Sequence, residues 1–67
     1  MKIFLNNEPI SLPNDHMTVK DLLDWKGTKP QGTAVAINDK LILKDKWAVT
    51  KLEDLMNVTI ISAAFGG

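Results

Sequence analysis

One short stretch of this chain carries the residue pattern of a helix, and its shortness constrains the fold more than any other feature of the sequence. Thr18 begins a Thr-x-x-Asp cap that ends at Asp21, and Gly27 stands where a helix-terminating glycine belongs. Three apolar residues share one face of the segment between them: Val19, Leu22 and Leu23. The pattern predicts a helix from residue 19 to residue 25 or 26. A helix of about two turns is unstable in isolation, so the rest of the chain must supply a sheet on which it packs.

Strand-like segments on both sides of this helix can supply that sheet. β-favouring residues or apolar–polar alternation mark residues 2–6, 9–12, 33–37, 41–43 and 57–62. Pro9 has no amide to donate to a ladder, which predicts that the second strand lies at an edge of the sheet. The apolar run Val58-Thr59-Ile60-Ile61 predicts a central last strand that is covered on both faces.

The order β, β, α, β, β, β predicts the fold class. Joined hairpins with one helix on a single face give an α+β layer architecture. A central last strand beside the first gives the β-grasp, or ubiquitin-like, topology: a mixed five-stranded sheet with one main helix packed on one face. Trp47 lies in a predicted helical turn at residues 44–48 and is expected to plug the core. The spacing of Leu52, Leu55 and Met56 allows a further short helical turn.

The composition excludes several classes of function. The chain has no cysteine, and therefore no thiolate nucleophile, disulfide or cysteine-based metal site. Eight acidic residues balance eight lysines, and arginine, the preferred side chain for phosphate and guanine recognition, is absent. We therefore do not expect nucleic-acid binding. No apolar run has membrane-spanning length and the N-terminus lacks a signal-peptide pattern, so we expect a cytoplasmic protein without membrane association.

Side chains suited to catalysis are sparse. His16 lies in a polar loop beside Asp15, with no partnered nucleophile in the sequence. Asp21 and Asp24 fit a helix cap and a solvated helix face. No glycine-rich phosphate loop precedes the helix, and no cluster of side chains has the spacing of a metal site. We therefore expect no catalytic residue, no metal ligand and no bound cofactor.

The chain ends in Ala63-Ala64-Phe65-Gly66-Gly67, and two glycines bury nothing in a core. We interpret residues 1–62 as the folded domain and residues 63–67 as a flexible tail. Fully extended, the tail reaches roughly 17 Å, which suits a carboxylate that is presented to an active site on another protein. A frayed terminus with two accidental glycines is the alternative. Phe65 is a candidate partner anchor, or else it folds back onto the sheet edge.

Four short motifs occur in order along the chain: Thr18-Val19 with Leu22-Leu23, Ala34-Val35-Ala36-Ile37-Asn38, Trp47-Ala48 and Gly66-Gly67. In this set the chain resembles the ThiS family of sulfur carrier proteins used in thiamine biosynthesis, over nearly its whole length. Two places depart from the family: Ile42-Leu43-Lys44 replaces a common Val-Pro-Arg, and Asp54-Leu55-Met56 replaces a common Asp-Gly-Asp turn. Loss of the turn glycine implies a different turn geometry, with Leu55 or Met56 partly exposed.

The resemblance implies chemistry at the carboxylate of Gly67. A ThiF-like adenylating enzyme would activate it with ATP and Mg²⁺, and a persulfide sulfur donor would turn the acyl adenylate into a thiocarboxylate. A ThiG-like thiazole synthase would then accept the sulfur. The resemblance thus implies that Gly66 and Gly67 enter the partner's active site, with Ala64 and Phe65 as partner contacts. The chain would be a protein co-substrate and not an enzyme, and carriers of this fold generally dock through the apolar sheet face near the C-terminus.

Three alternatives stay open from the sequence. The small subunit of molybdopterin synthase is a sulfur carrier with the same fold and the same terminal diglycine. A plain ubiquitin-like binding module would use the sheet face and would not need Gly66 and Gly67. A protein conjugation tag would form an isopeptide bond from Gly67 to a lysine of its target.

Overall fold

The computed structural model describes residues 1–62, and residues 63–67 lie outside the described part. The helix and strands are β1 (Lys2–Leu5), β2 (Glu8–Ser11), α1 (Val19–Lys26), β3 (Thr33–Ile37), β4 (Lys40–Ile42) and β5 (Asn57–Ser62), with a 3-10 turn at Lys44–Lys46 between the last two strands. The predicted order of helix and strands is confirmed, and the predicted bounds of the helix and strands differ from these by one residue at most.

The strands form one five-stranded sheet in the order β2-β1-β5-β3-β4. The hairpin partners β1–β2 and β3–β4 are antiparallel, as is β3–β5, whereas β1 and β5 run parallel. The predicted central position of the last strand and the edge position of the strand with Pro9 are both confirmed. The fold is therefore the α+β, mixed-sheet β-grasp architecture that the sequence predicts.

The ends of α1 are fixed by the predicted cap residues. The backbone N–H of Thr18 donates to Asp21 Oδ2 (3.0 Å), and the N–H of Asp21 donates to Thr18 Oγ1 (3.2 Å), which completes a capping box. Gly27 ends the helix with φ +71°, a conformation that a residue with a Cβ rarely adopts. Between the caps, Leu22 and Leu23 are buried in the core under the sheet, so α1 packs on one face of it.

The core lies between α1 and this inner face of the sheet. Its buried residues are Ile3, Leu5, Leu12, Met17, Val19, Leu22, Leu23, Val35, Ile37, Trp47, Leu52 and Val58. Trp47 is buried, and its indole Nε1–H donates to the carbonyl oxygen of Ile42 at 3.1 Å. The prediction that Trp47 plugs the core is confirmed, because the one polar atom of its ring has a partner inside the domain.

The short turn that the spacing of Leu52, Leu55 and Met56 allows is present, but it is not helical. Leu52 is buried, but the chain then forms a tight turn, in which the N–H of Met56 donates to the carbonyl of Glu53 (3.2 Å). Leu55 is 58% exposed and has φ +65°, within the left-handed region that favours glycine. The turn is held to β1, since the N–H of Leu55 donates to the carbonyl of Lys2 (2.6 Å). The expected exposure of Leu55 is confirmed, and the backbone still takes a conformation suited to the missing glycine.

The left-handed conformation of Leu55 predicts a stabilising substitution. Leu55→Gly is expected to raise the free energy of unfolding by about 1 kcal/mol, because a Cβ makes the left-handed region unfavourable by roughly that amount. Chemical denaturation of the two chains measures the difference. The matched control is Leu55→Ala, which removes the same exposed side chain but keeps the Cβ. An equal gain in both variants would show that the exposed leucine, and not the backbone, is the unfavourable feature.

Candidate functional site

The predicted site residues Ala64, Phe65, Gly66 and Gly67 lie outside the described residues. The structure does describe the strand that leads to them. β5 occupies the centre of the sheet and ends at Ser62, paired with Thr33 at the beginning of β3. The candidate site is therefore built from the end of β5 and the surface around it.

The two faces of β5 have different environments. Val58 points into the core and is 1% exposed, whereas Ile61 on the opposite face is 60% exposed. The prediction that the last strand is covered on both faces is therefore wrong. α1 covers the inner face, and no element among residues 1–62 covers the outer one. The apolar side chains of β5 therefore belong to two surfaces: those on the inner face pack in the core, and Ile61 lies on an exposed surface.

The register of the sheet gathers further apolar residues around Ile61. Ala34 lies opposite Ile61, Ala36 lies opposite Thr59, and Leu41 on β4 lies opposite Ala36. We define the outer sheet face by Phe4, Ala34, Ala36, Leu41, Thr59 and Ile61. Leu41 is 66% exposed, and a contiguous exposed apolar surface of this kind is typical of a protein–protein contact.

A lysine lies at the β1 side of this face. Lys2 on β1 lies with its Nζ 5.9 Å from the centroid of the Phe4 ring, at the end remote from Ser62. On the opposite side, a groove of about 560 Å³ borders Ile61 and is lined mainly by residues 30–34 together with Lys44. The end of β5 thus lies between an apolar sheet face and an open groove.

Asn6 fixes the end of β5 through its side chain. The N–H of Ile60 donates to Asn6 Oδ1 (2.8 Å), and Asn6 Nδ2 donates to the carbonyl of Ile60 (3.3 Å). The backbone N–H of Asn6 also donates to the carbonyl of Val58 (2.9 Å). The sequence predicts only a turn at this position, because Asn tolerates φ > 0. In the structure Asn6 has φ +50°.

The described residues assemble no catalytic constellation. His16 is exposed in its loop, where its backbone N–H donates to Asn14 Oδ1 (2.9 Å). The adjacent Asp15 pairs with the amino group of Met1 (3.0 Å), which lowers the pKa of that carboxyl. Within residues 1–62, no three histidine, aspartate or glutamate side chains are placed to hold a metal ion. Nor does this part of the chain contain a helix that is long and apolar enough to cross a membrane.

The fold and the end of β5 together define the class: a β-grasp domain whose central last strand leads into a terminal diglycine. The model of the ThiS family matches residues 3–67, so the chain belongs to the ThiS family. ThiS family proteins are small sulfur carriers.

A solved structure supports the same fold. The crystal structure of thiamine biosynthesis protein ThiS from Geobacter metallireducens aligns with a TM-score of 0.84 at 20% sequence identity, covering 100% of both chains. At this sequence identity, the match shows that the two chains share a fold. No curated protein matches the chain.

Proposed function

We propose that this chain carries sulfur as a thiocarboxylate on Gly67 and donates it for thiazole formation in thiamine biosynthesis. The observation that carries the proposal is the family match, which extends through the diglycine to residue 67. The exposed outer sheet face beside the end of β5 supports it, since a carrier needs a surface on which its enzymes can hold it.

The chemistry begins with a carboxylate that is a poor electrophile. An oxygen of the Gly67 carboxylate attacks the α-phosphorus of ATP on a ThiF-like adenylating enzyme, and pyrophosphate leaves. The acyl adenylate has AMP as a good leaving group, so persulfide sulfur displaces AMP at the carbonyl carbon. A thiol then reduces the S–S bond and leaves the thiocarboxylate. A ThiG-like thiazole synthase takes the sulfur from this group.

The residues of the chain fit a substrate role in this sequence. Gly66 and Gly67 have no Cβ, which allows their backbone to approach an active site closely. Donors that stabilise the developing negative charge must come from the partner, since the two glycines offer only backbone amides. The absence of cysteine also matters, because no internal thiol competes for the activated acyl group.

Intact-mass analysis tests the proposal. The chain is incubated with a ThiF-like adenylating enzyme, ATP, Mg²⁺, a persulfide donor and a thiol reductant that cleaves the acyl disulfide, and the expected product has gained the mass difference between one sulfur and one oxygen. A chain truncated after Phe65 is the control and is expected to gain nothing. The proposal is wrong if the full chain also gains nothing with an enzyme that converts another ThiS family carrier in the same assay.

The exposed outer sheet face also favours a second candidate, a non-covalent ubiquitin-like binding module. This candidate predicts that binding to the partner survives removal of Gly66 and Gly67, and that no mass gain occurs. A molybdopterin-type carrier would gain the same mass as the thiamine carrier. Transfer of the sulfur to a ThiG-like synthase, measured as loss of the thiocarboxylate, separates those two.

A further inference from the structure

The backbone groups of β5 alternate between its two neighbours. The N–H of Asn38 donates to the carbonyl of Asn57 (2.9 Å), which makes this pair a hydrogen-bonded one. Along an antiparallel ladder such pairs recur at every second residue, so Thr59 and Ile61 also direct their N–H and C=O groups to β3. The N–H and C=O groups of the residues between them, Val58 and Ile60, point toward β1.

The hydrogen bonds between β1 and β5 agree with this alternation. The N–H of Phe4 donates to the carbonyl of Met56, and that of Asn6 donates to the carbonyl of Val58, both at 2.9 Å. At Ile60 the strand β1 has ended, and the Asn6 amide replaces it with two hydrogen bonds. The chain then turns away through Asn7 into β2. Asn6 is thus the last group of the domain that pairs with β5 on this side, within residues 1–62.

Ser62 is the next residue of β5 whose backbone groups point toward the β1 side. Its N–H and C=O face the β1 side, beyond the Asn6 amide, and the residue is exposed. Among residues 1–62, no group on this side pairs with the N–H or C=O of Ser62, and an exposed strand edge of this kind is a template for another strand. Addition of an extended segment to such an edge is a common mode of protein recognition.

We propose that an extended strand of the adenylating enzyme pairs with the main chain of β5 at Ser62, on the side where β1 has ended. This inference rests on the proposed function and names how the partner holds the carrier. The occupant follows from the length of chain beyond Ser62. Residues 63–67 span roughly 17 Å only when extended, and strand pairing that starts at Ser62 holds a chain in that conformation. In the proposed reaction sequence the adenylating enzyme is the first partner whose active site must receive Gly67, and it must receive it before any modification, so it is the occupant to which the proposal commits.

Ser62→Pro tests the pairing, because proline removes the N–H that faces the added strand. Ser62 is a non-hydrogen-bonded partner of Thr33, so the substitution leaves the ladder with β3 intact, and proline is tolerated where its missing N–H faces an open edge. The KM for the carrier in ATP–pyrophosphate exchange by the ThiF-like enzyme is expected to rise about tenfold, the effect of one unmade hydrogen bond at an interface. The matched control is Ser62→Ala, which removes only the hydroxyl and is expected to keep the wild-type KM.

Hydrogen exchange gives a second readout on the unmodified chain. The Ser62 amide is expected to exchange more slowly when the enzyme is bound, while the Ile61 amide, already directed to β3, changes little. Equal KM values for Ser62→Pro and Ser62→Ala, or an unchanged Ser62 exchange rate in the complex, would overturn the strand pairing. A wild-type chain that supports no exchange at all is a different result, since it rejects the proposed function itself.

Discussion

Leu22→Ala is expected to lower the free energy of unfolding by about 2–5 kcal/mol, the range for truncating a fully buried leucine. Leu22 has no exposed surface and belongs to the core cluster between α1 and the sheet. The helix has eight residues and is not stable by itself, so a cavity at this contact weakens the whole domain. For a domain of 67 residues the loss is a large part of the total stability. Urea denaturation followed by far-ultraviolet circular dichroism measures it.

Leu41→Ala is the control for this prediction. It removes the same atoms from a side chain that is 66% exposed on the outer sheet face, and the free energy of unfolding is expected to change by no more than about 0.5 kcal/mol. Comparable losses in the two variants would mean that the outer sheet face contributes to stability as the core does.

The sequence predicts those parts of the fold that depend on neighbouring residues. The Thr18 and Asp21 cap, the Gly27 helix end and the buried face of α1 are all set within a few positions of the chain. Strand order follows because a short helix among five strand segments has few ways to cover a sheet. Trp47 is predicted correctly for the same reason, since a large apolar side chain in a short turn must find the core.

Features set by distant pairing could not be predicted in the same way. The Asn6 amide acts on Ile60, 54 positions along the chain, and no local pattern marks that contact. Leu55 takes a left-handed conformation that glycine usually occupies. Because no glycine marks this turn in the sequence, the spacing of Leu55 with Leu52 is also compatible with a helical turn. The turn is set instead by its hydrogen bond to Lys2 at the beginning of the chain.

The candidate site likewise has one part that neighbouring residues determine and one part that distant pairing determines. The diglycine is visible in the sequence because its chemistry needs only the final residues, and its role stays a prediction because residues 63–67 lie outside the described part. The family resemblance implies an apolar sheet face near the C-terminus, but the sequence does not show which residues form it. Leu41 and Ile61 become neighbours of one surface only through the register of β4, β3 and β5, and each alone resembles a core residue.

If the adenylating enzyme docks on the outer sheet face, Leu41→Asp is expected to raise the KM for the carrier in the adenylation reaction by about tenfold or more, because the variant places a charge that must be desolvated where an apolar side chain stood. Thermal unfolding is expected to change little, since the side chain is 66% exposed on an edge strand. ATP–pyrophosphate exchange over a range of carrier concentrations measures the KM.

The control for Leu41→Asp is Val49→Asp. Val49 is 71% exposed and lies outside the outer sheet face, so the variant makes the same change in net charge at a site remote from the proposed contact. If the partner docks on the outer sheet face, only the Leu41 variant weakens binding. A similar rise in KM for both variants would attribute the effect to net charge, and wild-type KM for both would place the docking surface elsewhere on the domain. Because Leu41→Ala tests stability at the same position, the two Leu41 variants separate what this residue contributes to folding from what it contributes to recognition.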